Sequence, residues 1–306
     1  MMKKLLLIPI IILSIPIALF SFEDSAEVLI LDGKNIEEND PKAALEFYTQ
    51  ALPKASDNLQ LKAEVFYHIG RVKHRLNMLL SSQEHLRQAI QLGEGLPFVE
   101  SARNRLWDVN TEILFSRIET PYKQTVTVRP GDTLGRIANA NHTTIEYIKR
   151  ANRLSSDIIH PGMTLVVPKQ KFSVVINISN NTLTLKAGDE IIKVYRVATG
   201  TKETPTPEGN FTVTEKVVNP VWYRRARPDR PGRPARPRAI IPAGSPDNLL
   251  GTRWVGISKA GYGIHGTIDP LGIGRRITDG CIRLTNKDVE ELFVLLVPGS
   301  EVIITR

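Results

Sequence analysis

Cysteine is nearly absent from this chain: among 306 residues there is one, Cys281. A single thiol excludes a disulfide within the chain and a thiolate metal cluster, and leaves an inert core residue or a reactive nucleophile. Long apolar runs are scarce as well. Leu5 to Phe20 would rise about 24 Å as a helix, short of a hydrocarbon core of roughly 30 Å, and Pro9 and Pro16 interrupt it, so a multi-span membrane protein is excluded. General basicity is missing too. The net charge is +8, but the seven Arg between Arg224 and Arg238, opposed by Asp229, carry +6, and Lys3 with Lys4 carry +2. The rest is neutral, which argues against a nucleic-acid partner. What is present is ordinary: 42% apolar and 24% charged residues, enough chain for two or three folded domains.

Lys3 and Lys4, the apolar run and the polar turn at Glu23 and Asp24 have the layout of a secretory signal over residues 1–21. Leu19 and Ser21 fit the small-residue cleavage rule loosely, so cleavage and an uncleaved N-terminal anchor both stay open. Either way the expected location is outside the cytoplasm, in a periplasm or cell envelope, with membrane contact only through residues 1–21. A lone Cys in an exported chain fits an enzyme that needs its thiol.

Residues 22–120 read as all-α. Asp40 and Pro41 form an N-cap and N1 pair, and Ser81 with Glu84 fits a capping box. Gly33, Ala44, Leu45, Tyr48 and Ala51 are echoed by Gly70, Ser82, Leu86 and Ala89. The echo resembles tetratricopeptide helix pairs, which implies a protein partner; a plain helical spacer fits as well.

Residues 122–169 read as a small strand, helix, helix, strand unit. A strand near Thr125 to Val128 meets a turn at Pro130 and Gly131, Asp132 is placed to cap a helix, Thr143 and Glu146 form a second capping box, and Pro161 and Gly162 lead into a last strand. The segments VRPGDTL, IKRAN and PGMTLVVP resemble the LysM module. The resemblance implies binding to N-acetylglucosamine-containing glycan strands, with Gly131, Asp132, Thr133, Asn152 and Ile159, His160, Pro161 and Gly162 bordering the sugar groove.

Residues 171–306 alternate as a mainly β domain with one clear helix capped by Thr285. Val174, Ile176 and Ile178 face Leu183 and Leu185 across an Asn180-Asn181 turn. Near the end lie His265, between Ile264 and Gly266, and Cys281 after Gly280. A thiol needs a base to ionise near neutral pH, and imidazole titrates there. Gly266 and Gly280 would permit close substrate approach and leave backbone N–H groups for an oxyanion. A buried Cys and a core His fit the same spacing.

NPVWY, IPAGSPDNLLGTRW, YGIHGTIDP and TDGCIRLTNKDVEEL resemble the L,D-transpeptidase catalytic domain. The resemblance implies Cys281 as nucleophile, His265 as base oriented by the Gly266 carbonyl, and Arg283 placing substrate, with Gly280, Thr278, Asp279, Trp222 and Tyr223 around the donor site. Asp279 stands where many members carry His. The activity implied is attack on the peptide bond before the terminal D-alanine of a peptidoglycan tetrapeptide stem, then transfer of the acyl group to an amine, with neither metal nor cofactor. An L,D-carboxypeptidase using water and a non-catalytic wall-binding scaffold are the alternatives. The Pro-punctuated Arg224 to Arg238 stretch reads either as an anion-attracting loop or as a solvated one.

Overall fold

The computed structural model describes residues 25–224, 226, 235 and 237–306. The signal-like segment, and Arg225, Arg227, Arg230, Arg233 and Arg236 of the basic stretch, lie outside the described residues.

Five helices come first: α1 (Ala26–Ile36), α2 (Pro41–Lys54), α3 (Leu59–Arg75), α4 (Leu79–Leu92) and α5 (Val99–Leu114). The sequence echo is a repeated packing device. In each of the first two pairs a glycine on one helix receives a large side chain from the next: a Cβ on Gly33 would lie 2.5 Å from the Tyr48 ring, and one on Gly70 would lie 2.8 Å from Leu86. Asp40 caps α2 through the Lys42 and Ala43 N–H groups at 3.1 and 3.0 Å. The Ser81 capping box does not form. Asn77, at φ 58°, reverses the chain directly after α3, so α4 restarts at Leu79, and Ser81 sits inside it accepting from Lys73 Nζ at 2.7 Å.

The strand, helix, helix, strand module follows as β1 (Lys123–Thr127), α6 (Leu134–Ala140), α7 (Ile145–Asn152) and β2 (Thr164–Pro168), with β1 and β2 antiparallel. Both helix starts differ from expectation by one residue. Asp132 accepts from Arg129 N–H at 2.7 Å and closes the Pro-Gly turn, leaving Thr133 to cap α6 through Arg136 N–H. Thr144, in extended conformation, caps α7 through Tyr147 N–H, while Glu146 pairs with Arg150 four residues on.

The C-terminal domain is mostly β: β3 (Phe172–Asn177), β4 (Thr182–Ala187), β5 (Glu190–Arg196), β6 (Thr199–Gly200), β7 (Gly209–Val218), β8 (Trp222–Arg224), β9 (Ala239–Ile241), β10 (Arg253–Ile257), β11 (Gly263–His265), β12 (Arg276–Thr278), β13 (Ile282–Arg283), α8 (Asn286–Leu295) and β14 (Glu301–Thr305). Eight strands form one sheet in the order β13-β11-β10-β7-β14-β3-β4-β5, and β8 with β9 makes a separate ribbon. Val174, Ile176, Ile178, Leu183 and Leu185 are all buried, so the β3–β4 alternation turns its apolar face inward.

The second module and the C-terminal domain share one apolar core, which runs through Tyr147 and Leu165 to Phe172, Leu292 and Val302 and which the end of α5 joins at Leu114, while α1–α5 keep two clusters of their own. Polar ties reinforce it. Buried Lys123 donates to the Ile113 and Ser116 carbonyls at 2.7 and 2.9 Å, capping the end of α5, and burial pushes its ammonium down to about 8. Arg117 reaches Thr164 and Asn152. At the far edge of the sheet, Asn110 on α5 donates to the Ile192 carbonyl of β5 at 2.9 Å, and Arg87 pairs with Glu190. Thr144 Oγ1 donates to Val294 on α8 at 2.6 Å.

Asn152 is buried and its amide staples α7 to β2: Nδ2 donates to Ile148 and Val166 carbonyls, and Oδ1 accepts from Val166 N–H at 2.7 Å. Asn152→Ala should therefore lower unfolding free energy by about 3 kcal/mol, because it orphans buried backbone groups; urea titration of the full chain measures this, and a change below about 1 kcal/mol would contradict the staple.

Candidate active site

Strand alternation and register place the chemistry. In the parallel pair β11–β13, Ile264 faces Ile282 and His265 faces Arg283. Ile264 and Ile282 are fully buried in the core. The residues alternating with them point to the opposite face, so His265, Arg283 and Cys281, two residues before Arg283, share one side of the sheet. Leu284 N–H donates to the His265 carbonyl at 2.9 Å and ties the two strands beyond the site.

His265 is 4% exposed, and its Nδ1 lies 2.7 Å from the Gly266 carbonyl. A carbonyl only accepts, so Nδ1 carries the proton and Nε2 keeps its lone pair. Burial, and then the nearby Arg283 charge, push the imidazole down to about 4, against the raising effect of the Gly266 hydrogen bond. The ring is neutral near pH 7.

Cys281 is half-buried, with its Sγ 3.9 Å from the Gly261 carbonyl. Thr278 builds the turn ahead of it: Oγ1 donates to the Cys281 carbonyl at 2.6 Å and accepts from Gly280 N–H at 3.2 Å. Gly280 has φ 109°, and a Cβ there would lie 2.7 Å from the Tyr262 ring, so glycine is required on both counts. The two glycine N–H groups expected to face an oxyanion are otherwise engaged: Gly280 N–H on Thr278, and Gly266 N–H on the Arg253 carbonyl at 3.2 Å. Their glycines serve packing instead. A Cβ on Gly266 would run into Asn286 Oδ1.

Arg283 is largely desolvated, which lowers its pKa, while Asp269, Cys281 and Asp279 support its charge. Asp279 is exposed and so acts on the site through Arg283. Trp222 and Tyr223 lie on the β8–β9 ribbon, Tyr223 at 70% exposure, with Arg224 over the Trp222 ring. The ribbon is anchored by Asn248, buried, whose Nδ2 donates to Pro220 and Pro242 carbonyls. In the second domain the structure brings the turn of Gly131, Asp132 and Thr133 beside that of Ile159 to Gly162, because Gly162 N–H donates to Val128 and Val128 N–H to Met163. Gly131, Thr133, His160, Pro161 and Gly162 are exposed; Asn152 is turned into the module's interior.

Three residues outside the expected set support the site. Asn286 Oδ1 accepts from both Thr252 and Thr267 N–H at 3.1 Å, fixing the chain just past His265. Asn248 holds the ribbon, and Trp254 stacks on His265 with centroids 5.9 Å apart. Asn286 and Trp254 lie within the TNKDVEEL and GTRW segments, and Asn248 in SPDNLL, but nothing in their spacing announces what they touch.

Residues 171–304 match the YkuD family, the L,D-transpeptidase catalytic domain, and residues 126–168 match the LysM domain. YqjB of Bacillus subtilis, an L,D-transpeptidase by name, is 39% identical over 137 residues, covering 43% of this chain and 70% of that protein. YkuD of Bacillus licheniformis, likewise named, is 31% identical over 185 residues, covering 58% of this chain and 96% of that protein. A solved L,D-transpeptidase from Mycobacterium smegmatis overlaps 47% of this chain and 64% of its own at 21% identity with a TM-score of 0.34, too low to add weight. With a YkuD domain holding His265 and Cys281 on one face, a LysM domain ahead of it and relatives matched over most of their length, the chain belongs to the L,D-transpeptidase family and is a transpeptidase enzyme.

Proposed function

We propose that the protein is an exported cell-wall L,D-transpeptidase in which Cys281 is the nucleophile, His265 the base and Arg283 the substrate-placing cation. The observation that carries this reading is geometric: the Gly266 carbonyl holds Nδ1 of His265, and the register that sets His265 opposite Arg283 gives Cys281, two residues before Arg283, the same side of the sheet.

Nε2 of His265 takes the thiol proton, and the Cys281 sulfur attacks the carbonyl carbon before the terminal D-alanine of a tetrapeptide stem. The tetrahedral oxyanion collapses, the C–N bond breaks, and the imidazolium returns its proton to the departing D-alanine amine. A second amine attacks the thioester, gives up its proton to His265, and the thiol re-forms. Arg283, desolvated on this face, suits the developing negative charge or a stem carboxylate. The LysM turns at 131–133 and 159–162 would hold glycan strands while the catalytic domain works on their stems. The signal-like residues 1–21 support export to the periplasm or cell envelope.

Four measurements test this. A carbapenem should add once, at Cys281, by intact-mass analysis, and Cys281→Ala should lose both adduct and turnover; turnover surviving in that variant would remove the nucleophile assignment. Because His265 is protonated only near pH 4, acylation should keep its rate on acidification through 6.5 and fall as pH drops through about 4. The same depression makes folding weaken on the acid side: an unfolded imidazole titrates near 6.5, so melting temperature should decline from about pH 6.5 down to 4. Finally, muropeptide mass analysis with excess acceptor stems should yield more cross-linked dimers than tripeptides; tripeptide alone would assign an L,D-carboxypeptidase.

A further inference from the structure

Trp254, His265 and Arg283 occupy one row across β10, β11 and β13: Trp254 faces His265, and His265 faces Arg283. Indole and imidazole are stacked, their planes 22° apart. The next row is built from Gly256 and Gly263, and alternation brings Cys281 to its end. Neither glycine has room for a side chain. A Cβ on Gly263 would lie 2.6 Å from Trp254 Cζ2, and one on Gly256 would lie 2.8 Å from Glu215 Cγ. The indole therefore leans across Gly263 toward the row that ends in the thiol. Glu215, on β7, lies across Gly256 and accepts the Trp254 Nε1 proton at 3.1 Å. The imidazole is thus bounded by an indole on one strand and a guanidinium on the other, with its Nδ1 tied below to Gly266.

We propose that Trp254, held in place by Glu215, is a positioning residue that fixes the plane of the His265 ring and keeps water from its outer flank, so that Nε2 stays turned to the Cys281 side. This rests on the reading of His265 as the base. The Gly266 hydrogen bond alone leaves the ring free to tilt about its Cβ–Cγ bond; a large flat neighbour removes that freedom and adds stacking contact. Charged and titratable groups facing the ring are Arg283 on β13, Cys281 before it, Asp269 and Asp279 acting on Arg283, and Glu215 behind the indole. Since burial is the largest influence on His265, opening its Trp254 flank to water raises its proton affinity.

The test is single-turnover acylation of the full chain by a carbapenem between pH 3.5 and 8. Trp254→Ala should slow acylation at pH 7 by about 10-fold or more, a part of the roughly 100- to 10,000-fold that a well-placed base contributes, and move the acid limb upward toward 6.5. Trp254→Phe, which keeps a ring face, should stay within about 3-fold of the parent with its acid limb unmoved. Glu215→Ala, at an exposed position, should slow the reaction by about 3-fold, and Glu215→Gln should restore it, because the amide oxygen still accepts the indole proton. A parent-like rate and acid limb in both folded alanine variants would overturn the proposal, as would a Trp254→Phe protein as slow as Trp254→Ala. If Trp254→Ala does not fold, the Glu215 pair decides. His265→Gln separates the two levels: acylation at the parent rate there would sink the base assignment itself, whereas an inactive His265→Gln beside a parent-like Trp254→Ala would sink only the positioning role.

Discussion

The geometry of the proposed active site hangs on the short parallel pairing of β11 with β13. Two facing pairs, Ile264 with Ile282 and His265 with Arg283, decide which side chains enter the core and which enter the site. Because the side-chain period of a strand is two, a slip of one residue would bury Arg283 in the apolar core and carry Cys281 off the His265 face. The register is held from several directions. Ala198 bridges Arg283, Leu284 ties back to His265, and Asn286 clasps the loop after it. The glycines near the site follow from the same constraint: Gly263, Gly266 and Gly280 each lie where a neighbour's side chain occupies the space of a Cβ.

That arrangement also explains why the histidine is neutral. Burial penalises its charged form, and the adjacent guanidinium adds to the penalty. In the proposed role of base, an imidazole that stays unprotonated over a wide pH range gives up proton affinity and gains in return a lone pair open to a thiol proton. The positive charge of Arg283 then has two neighbours to answer to: it discourages protonation of His265 and favours negative charge nearby.

Much of this was legible in the sequence where local rules dominate. The Asp40-Pro41 cap, the β3–β4 alternation and the Thr285 cap of α8 appear as written, since each depends on residues within a few positions. The misses have a common cause. Ser81, Asp132 and Thr143 all have capping chemistry, but the chain reversal at Asn77 sets the start of α4 three residues earlier, at Met78, and the caps of α6 and α7 fall one residue later, at Thr133 and Thr144. The residues proposed as the core of the site, Cys281, His265 and Gly266, stood out because the chain has one thiol and its C-terminal domain one histidine. Trp254, Asn248 and Asn286 did not, because their roles arise from cross-strand and loop contacts separated by tens of residues. The Gly266 N–H goes to the Arg253 carbonyl across the β10–β11 pair, and the Gly280 N–H to Thr278 Oγ1 in a tight local turn, so neither was read as engaged.

The contact of α5 with β5 has a meaning in the order of synthesis. β5 is an edge strand of the eight-stranded sheet, and an open edge is a template for pairing with another chain. Asn110 occupies the Ile192 carbonyl of that edge, and Arg87 pairs with the Glu190 side chain where the strand begins. Helix pairs built from local contacts form quickly, whereas this sheet must wait for β14, the last strand, to be inserted between β3 and β7. A chain made from its N-terminus therefore has its guard helix ready before the edge it covers exists, so the interval in which that edge could recruit a stranger is brief.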